Sequence, residues 1–136
     1  MRPFLVSILA LTMALGCKKS SSVNPLLFGQ WKLRLYTYGI GQVRQTGPDS
    51  VNILTLGSDF HYERRLNDSL YDSGPYTAGN VKAAYNGSNA FGLSFIRPAY
   101  SSFYEPSYLI TLNKDTLILS ANVAIDGGFT EYVRVK

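Results

Sequence analysis

The sequence is poor in the residues that carry chemistry. It holds one cysteine, Cys17, so no internal disulfide can form. It holds one histidine, His61. A metal centre needs several convergent ligands, and one histidine among scattered carboxylates does not supply them. Any Ser-His-Asp arrangement would have to use His61. That residue alternates with Glu63 on one face of a strand-like run and follows Ser58 and Asp59, which fixes no geometry. It reads as a surface or internally satisfied side chain. Charged residues make up only 16% of the chain, and nothing among its nine acids selects a pair for glycoside chemistry. No apolar run approaches the roughly 20 residues that a spanning helix needs. No stretch carries a convincing helical period. The Gly39-x-Gly41 step in "GIGQVR" has no helix after it, so it reads as a turn and not as a nucleotide loop. No catalytic residue, metal ligand or cofactor site is expected.

What the chain does have is apolar and aromatic bulk. Hydrophobic residues are 46%, with ten Tyr, seven Phe and one Trp, enough for the core or the cavity lining of a single domain. The formal charge of +4 says little about partners. Arg2, Lys18 and Lys19 precede the folded part, and the remainder is almost neutral. A nucleic-acid footprint needs cations clustered on one face. The adjacent pair Arg64-Arg65 lies in a run where neighbours point to opposite faces.

Short alternating runs separated by turn residues fill the chain from Trp31 onward. "WKLRLYTY" puts Trp31, Leu33 and Leu35 on one face and Lys32 and Arg34 on the other. Further candidate strands are Val51–Leu56, Phe60–Leu66, Tyr71–Ala78 with a Gly-Pro break, and Val81–Tyr85 before an Asn86-Gly87 hairpin signal. Then come Ala90–Ile96 with Phe91, Leu93 and Phe95 on one face, Ser107–Leu112, Thr116–Ile125 and Phe129–Lys136. Hairpin-length connections between so many short strands predict an all-β, antiparallel up-and-down barrel of about eight strands. Such a barrel is filled by side chains or holds one small ligand. If Phe129, Val133 and Val135 face inward, alternation turns Glu131 inward too. A bulge after Gly127-Gly128 or a place at the rim would remove that conflict. The aromatic connection from Arg97 to Tyr108, with Tyr104 near its centre, is a candidate lid or contact surface.

The start of the chain has a different character. Arg2 is followed by an apolar or small-residue run, Phe4 to Leu15, of secretory h-region length. With Ala14-Leu15-Gly16-Cys17, this resembles the signal of a bacterial lipoprotein. The resemblance implies cleavage before Cys17, a diacylglyceryl group on its sulfur, and an acylated new amino terminus. Two buried acyl chains suffice for stable anchoring. "KKSSSVNP", Lys18 to Pro25, reads as a polar spacer. The implied division is a signal peptide over 1–16, a lipidated cysteine and tether over 17–27, and a barrel over 28–136. In the lipoproteins it resembles, surface-displayed members often carry acidic residues soon after the cysteine; here Lys18-Lys19-Ser20 follow, so the resemblance implies the periplasmic face of an outer membrane.

"GQWKL" at Gly29–Leu33 resembles the Gly-x-Trp signature that opens lipocalins. "ILTLGSDFHYE", "DSGPYTA" and the closing "YLITLNKDTLILSANVAIDGGFTEYVRV" are similar to small lipocalin-like domains of Bacteroidota lipoproteins. The resemblance implies Gly29 and Trp31 at a closed barrel end, with Arg134 packed across the indole. It also implies a non-enzymatic envelope protein with a small apolar or amphipathic ligand inside. Leu33, Leu35, Phe91, Phe95, Tyr104 and Glu131 are the candidate ligand contacts. The alternative is a packed barrel that docks another envelope protein through its rim or aromatic loop.

Overall fold

The computed structural model describes residues 23–38, 41–97, 107–125 and 127–136. Cys17, the leader and Tyr104 lie outside the described residues. Among the described residues, nine strands follow a short 3-10 turn at Pro25–Leu27: β1 (Gly29–Tyr38), β2 (Gln42–Gln45), β3 (Asn52–Leu56), β4 (His61–Leu66), β5 (Ser69–Lys82), β6 (Asn89–Phe95), β7 (Ser107–Leu112), β8 (Thr116–Ala121) and β9 (Phe129–Arg134). All pairings are antiparallel. Because β9 pairs with β8 and also with β1, eight strands close into an up-and-down barrel of lipocalin-like form. β2 is the additional strand.

Directly opposed residues of an antiparallel pair share a face, so the register defines the interior. Trp31 opposes Leu54, Leu56 opposes Tyr62, Tyr76 opposes Phe95, and Leu117 opposes Tyr132. These residues, with Leu27, Leu33, Leu93 and Leu119, form one core cluster.

Three expected features are corrected. The Gly-Pro break and the division between the Tyr71–Ala78 and Val81–Tyr85 runs do not exist, and β5 runs unbroken through both. Gly74 opposes Tyr62, and a Cβ there would meet the Ile96 carbonyl oxygen at 2.9 Å. Glycine in this strand marks a close approach, not an end. Conversely, "QVRQ" within the expected turn forms β2, all four residues exposed. The Thr116–Ile125 run also ends early: β8 stops at Ala121, leaving Val123 and Ile125 exposed.

The expected tether boundary at residue 27 falls inside the folded unit. Asn24 caps the 3-10 turn by accepting the Leu26 N–H at 3.0 Å. Leu27 is completely buried, and Val23 packs against the core.

Candidate ligand site

One end of the barrel is sealed. The Trp31 indole N–H donates to the Leu27 carbonyl at 2.9 Å, pinning the 3-10 turn across the opening. The Arg134 guanidinium lies over the indole, 4.1 Å from the ring centroid. Each of its nitrogens donates to a backbone carbonyl: Nε to Lys114 at 2.9 Å, one terminal nitrogen to Phe28 at 3.1 Å, and the other to Leu26. Gly29 adopts φ +131°, and a Cβ there would stand 3.0 Å from the guanidinium. The Gly-x-Trp pattern thus has a local cause. The backbone must turn where glycine alone is comfortable, and the arginine takes the space a side chain would occupy. Tyr76 completes this end, donating its hydroxyl to the Gly57 carbonyl at 2.7 Å. Burial, with Asp59 nearby, pushes its phenol up to about 12.

The other half of the barrel is irregular. β1 changes partner midway along one edge: residues 29–32 pair with β3 and residues 35–38 with β2. Thr46 fills the gap. Its N–H donates to the Arg34 carbonyl at 3.2 Å, and its hydroxyl lies 3.1 Å from the Leu33 carbonyl and 3.2 Å from that of Arg34. On the opposite edge, the β1–β9 register shifts between Leu33 and Leu35. This bulge inverts the faces beyond it.

Two expectations fall there. Leu35 opposes Glu131 and points outward, while Tyr36, opposite Thr130, turns toward the core. Glu131 also opposes Ile118, so it lies on the outer face of β9, where it pairs with Arg34. Thr130, Tyr132 and Arg134 are the inward residues of that strand. Neither Leu35 nor Glu131 can touch a ligand inside the barrel.

Between the diverging β2 and β3 lies a cleft of about 550 Å³. Leu33, Tyr36, Asn52, Leu66 and Thr130 form its barrel side, and Gln45, Thr46 and Ser50 its loop side. A smaller, largely apolar hollow of about 250 Å³ is lined by Asn24, Phe91, Ile110 and Leu112. Of the expected contacts, Leu33 lines the larger space and Phe91 the smaller. Phe95 is fully buried between Tyr62 and Tyr108, at centroid distances of 4.6 and 5.8 Å.

The sequence reading missed a charged cluster inside the barrel. Arg64 opposes Leu54 on one side and Asp72 on the other, so both charged residues point to the core face. Arg64 stacks on Phe95 with 4.3 Å to the ring centroid. Asp72 accepts from Arg97 at 2.8 Å and from the Tyr62 hydroxyl at 3.0 Å, and lies 3.6 Å from Arg64. Burial raises the Tyr62 pKa, with the Arg97 hydrogen bond working against it and Asp72 adding to it. Tyr132 is pushed up to about 12, again by burial, with the positive charge of Arg64 in opposition.

Other sequence candidates are dispersed. His61 is exposed on the outer face, and Asp59 accepts the backbone N–H of His61, at 3.1 Å, instead of its ring. Among the described residues, no three His, Cys, Asp or Glu side chains gather as a metal site.

The fold and the site together define a class: a closed antiparallel barrel, plugged at one end and cleft at the other. No family description matches this chain, and neither the curated proteins nor the solved structures hold a match to it.

Proposed function

We propose that this chain is a lipid-anchored, non-enzymatic binding protein of the cell envelope that holds a small amphipathic molecule in the open half of its barrel. The observation that carries the reading is the division of the interior. The plugged half is solid with Trp31, Leu54, Leu56 and Tyr76, whereas the other half holds the cleft of about 550 Å³ with mixed lining. That volume is within the range of small-molecule pockets, roughly 300–1,000 Å³. Anchoring through Cys17, at the periplasmic face of an outer membrane, rests on the lipoprotein-like leader and on Lys18-Lys19-Ser20. Native mass spectrometry of the full chain tests the binding reading. Retention of a molecule of a few hundred daltons is expected. Mass analysis of the membrane fraction tests the anchor, with a diacyl modification of Cys17 expected. Protease shaving of intact cells tests the face, and digestion without lysis contradicts periplasmic placement.

A second reading has its own observation. Leu66, Leu70 and Tyr71 are 42%, 48% and 53% exposed around the β4–β5 turn, an apolar edge suited to docking another envelope protein. An empty barrel in native mass spectrometry favours this alternative.

A further inference from the structure

The interior charges do not balance. Arg64 and Arg97 carry two positive charges, and among the described residues Asp72 supplies the one carboxylate that contacts them. Both oxygens of Asp72 are already engaged, one by Tyr62 and the other by the two guanidiniums. The Nε atoms of both arginines are buried and have no hydrogen-bond partner among the described residues. A buried cation without a full set of partners is costly, so a cluster with one excess positive charge is suited to an anion.

Placement supports the same conclusion. Asn52 and Leu66 oppose each other and line the cleft, while Leu54 and Arg64 form the next inward pair of the same register. Two residues along a strand span roughly 6.5–7 Å, so Arg64 stands one rung below the cleft wall. Arg97 follows Phe95 by two residues and keeps about a third of its side chain accessible. Apolar surface from Leu33, Tyr36 and Leu66 surrounds the approach.

We infer that Arg64 and Arg97, held apart by Asp72, form the head-group site for an amphipathic anion whose single oxyanion group, a carboxylate or a phosphate monoester, enters through the cleft with its apolar chain against Leu33, Tyr36 and Leu66. The inference rests on the binding reading above. Asp72 has the opposite effect to the arginines: it positions them and competes with the incoming anion.

Calorimetric titration of the full chain in neutral-lipid nanodiscs, with empty nanodiscs as reference, tests this. The probes share one chain length: octanoate, octyl phosphate and 1-octanol. At least one anion should bind tenfold or more tightly than the alcohol, and the better of the two identifies the head group. Arg97→Gln should abolish that preference and leave octanol binding unchanged, which also shows that the barrel remains folded. Asp72→Asn should tighten anion binding severalfold, an effect that a purely structural ion pair would not produce. Equal affinity for anion and alcohol overturns the head-group site and leaves the binding reading standing. So does weaker anion binding by Asp72→Asn with octanol binding intact. Failure of all three probes to bind overturns both.

Discussion

The two halves of the barrel each stack an arginine on an aromatic ring, and only one of them satisfies it. Arg134 lies 4.1 Å from the Trp31 centroid and gives all three nitrogens to carbonyl groups. Arg64 lies 4.3 Å from Phe95, yet its Nε has no partner among the described residues and its carboxylate is 3.6 Å away and shared. Backbone carbonyls converging from the 3-10 turn and the β7–β8 turn make the first a structural plug. An aspartate shared between two arginines makes the second incomplete. The irregularities of the sheet follow the same division. The β1 bulge lies beside the cleft, and the β4–β5 register shift lies between Arg64 and Arg65, next to the charged cluster. Bulges re-aim side chains, and here they accompany the side chains facing the open half.

The largest test of this contrast is Trp31→Ala. It removes a completely buried ring, its bond to Leu27 and the platform under Arg134. A loss of about 3–5 kcal/mol is expected in urea unfolding. A loss below about 1 kcal/mol would mean that the plug is not what holds this end together.

Next in size is the comparison of the two arginines themselves. Arg134→Met strands three carbonyls and ends the cation–π contact, at a cost of about 2–3 kcal/mol. Arg64→Met keeps an unbranched chain against Phe95 and leaves Asp72 its 2.8 Å partner Arg97. Its cost should stay below about 1 kcal/mol, since replacing a poorly satisfied buried ion with an apolar chain is often near neutral. Equal losses in the two variants would erase the distinction between plug and site.

How much of this was legible in sequence depended on whether large apolar residues marked a face. Phe91, Leu93 and Phe95 did so, and β6 presents that face inward. β2 carries no apolar alternation, and its four exposed residues gave nothing to read. β5 was hidden by Gly74, Pro75 and Gly79, of which Gly74 serves a close approach within the strand. The missing β2 and the divided β5 offset each other, so nine candidate runs matched nine strands for partly wrong reasons. Leu35 was misplaced because alternation cannot be carried across the β1 bulge, and Glu131 because the apolar Phe129 and Val133 suggest the wrong inward face of β9, which is Thr130, Tyr132 and Arg134. The charged cluster had a signal, since Tyr62 and Arg64 must share a face. Nothing in "FHYERRL" told which face was inside, because that depends on pairing Leu56 with Tyr62 and Leu54 with Arg64 across the turn.

Tyr132 gives a test that depends on pH. It opposes Leu33 and Leu117 inside the barrel, is nearly fully buried, and has its phenol raised to about 12. The unfolded phenol ionises near 10. Below pH 10 both states hold the proton, so its contribution is fully present. Between pH 10 and 12 the unfolded chain releases a proton that the folded chain retains, and stability falls by about 1.4 kcal/mol per pH unit from this group. Urea midpoints measured from pH 8 to 12 should decline only above 10, and Tyr132→Phe should decline less steeply. A parallel decline in the two proteins would show that the hydroxyl is already in contact with water.

The smallest effect on stability belongs at the mouth of the cleft. Among the described residues, the Asn52 side chain exchanges hydrogen bonds only with the exposed Tyr71 hydroxyl, at 3.2 and 3.3 Å, and water can replace both. Asn52→Leu should therefore leave unfolding within about 0.5 kcal/mol of wild type, as surface changes do. It nevertheless narrows the polar side of the cleft and should alter the affinity for an eight-carbon alcohol. Such a separation, unchanged stability with changed binding, is what a recess outside the load of the core produces. A loss comparable to that of Trp31→Ala would instead place Asn52 within the packed interior, and the open half would then be a continuation of the plug.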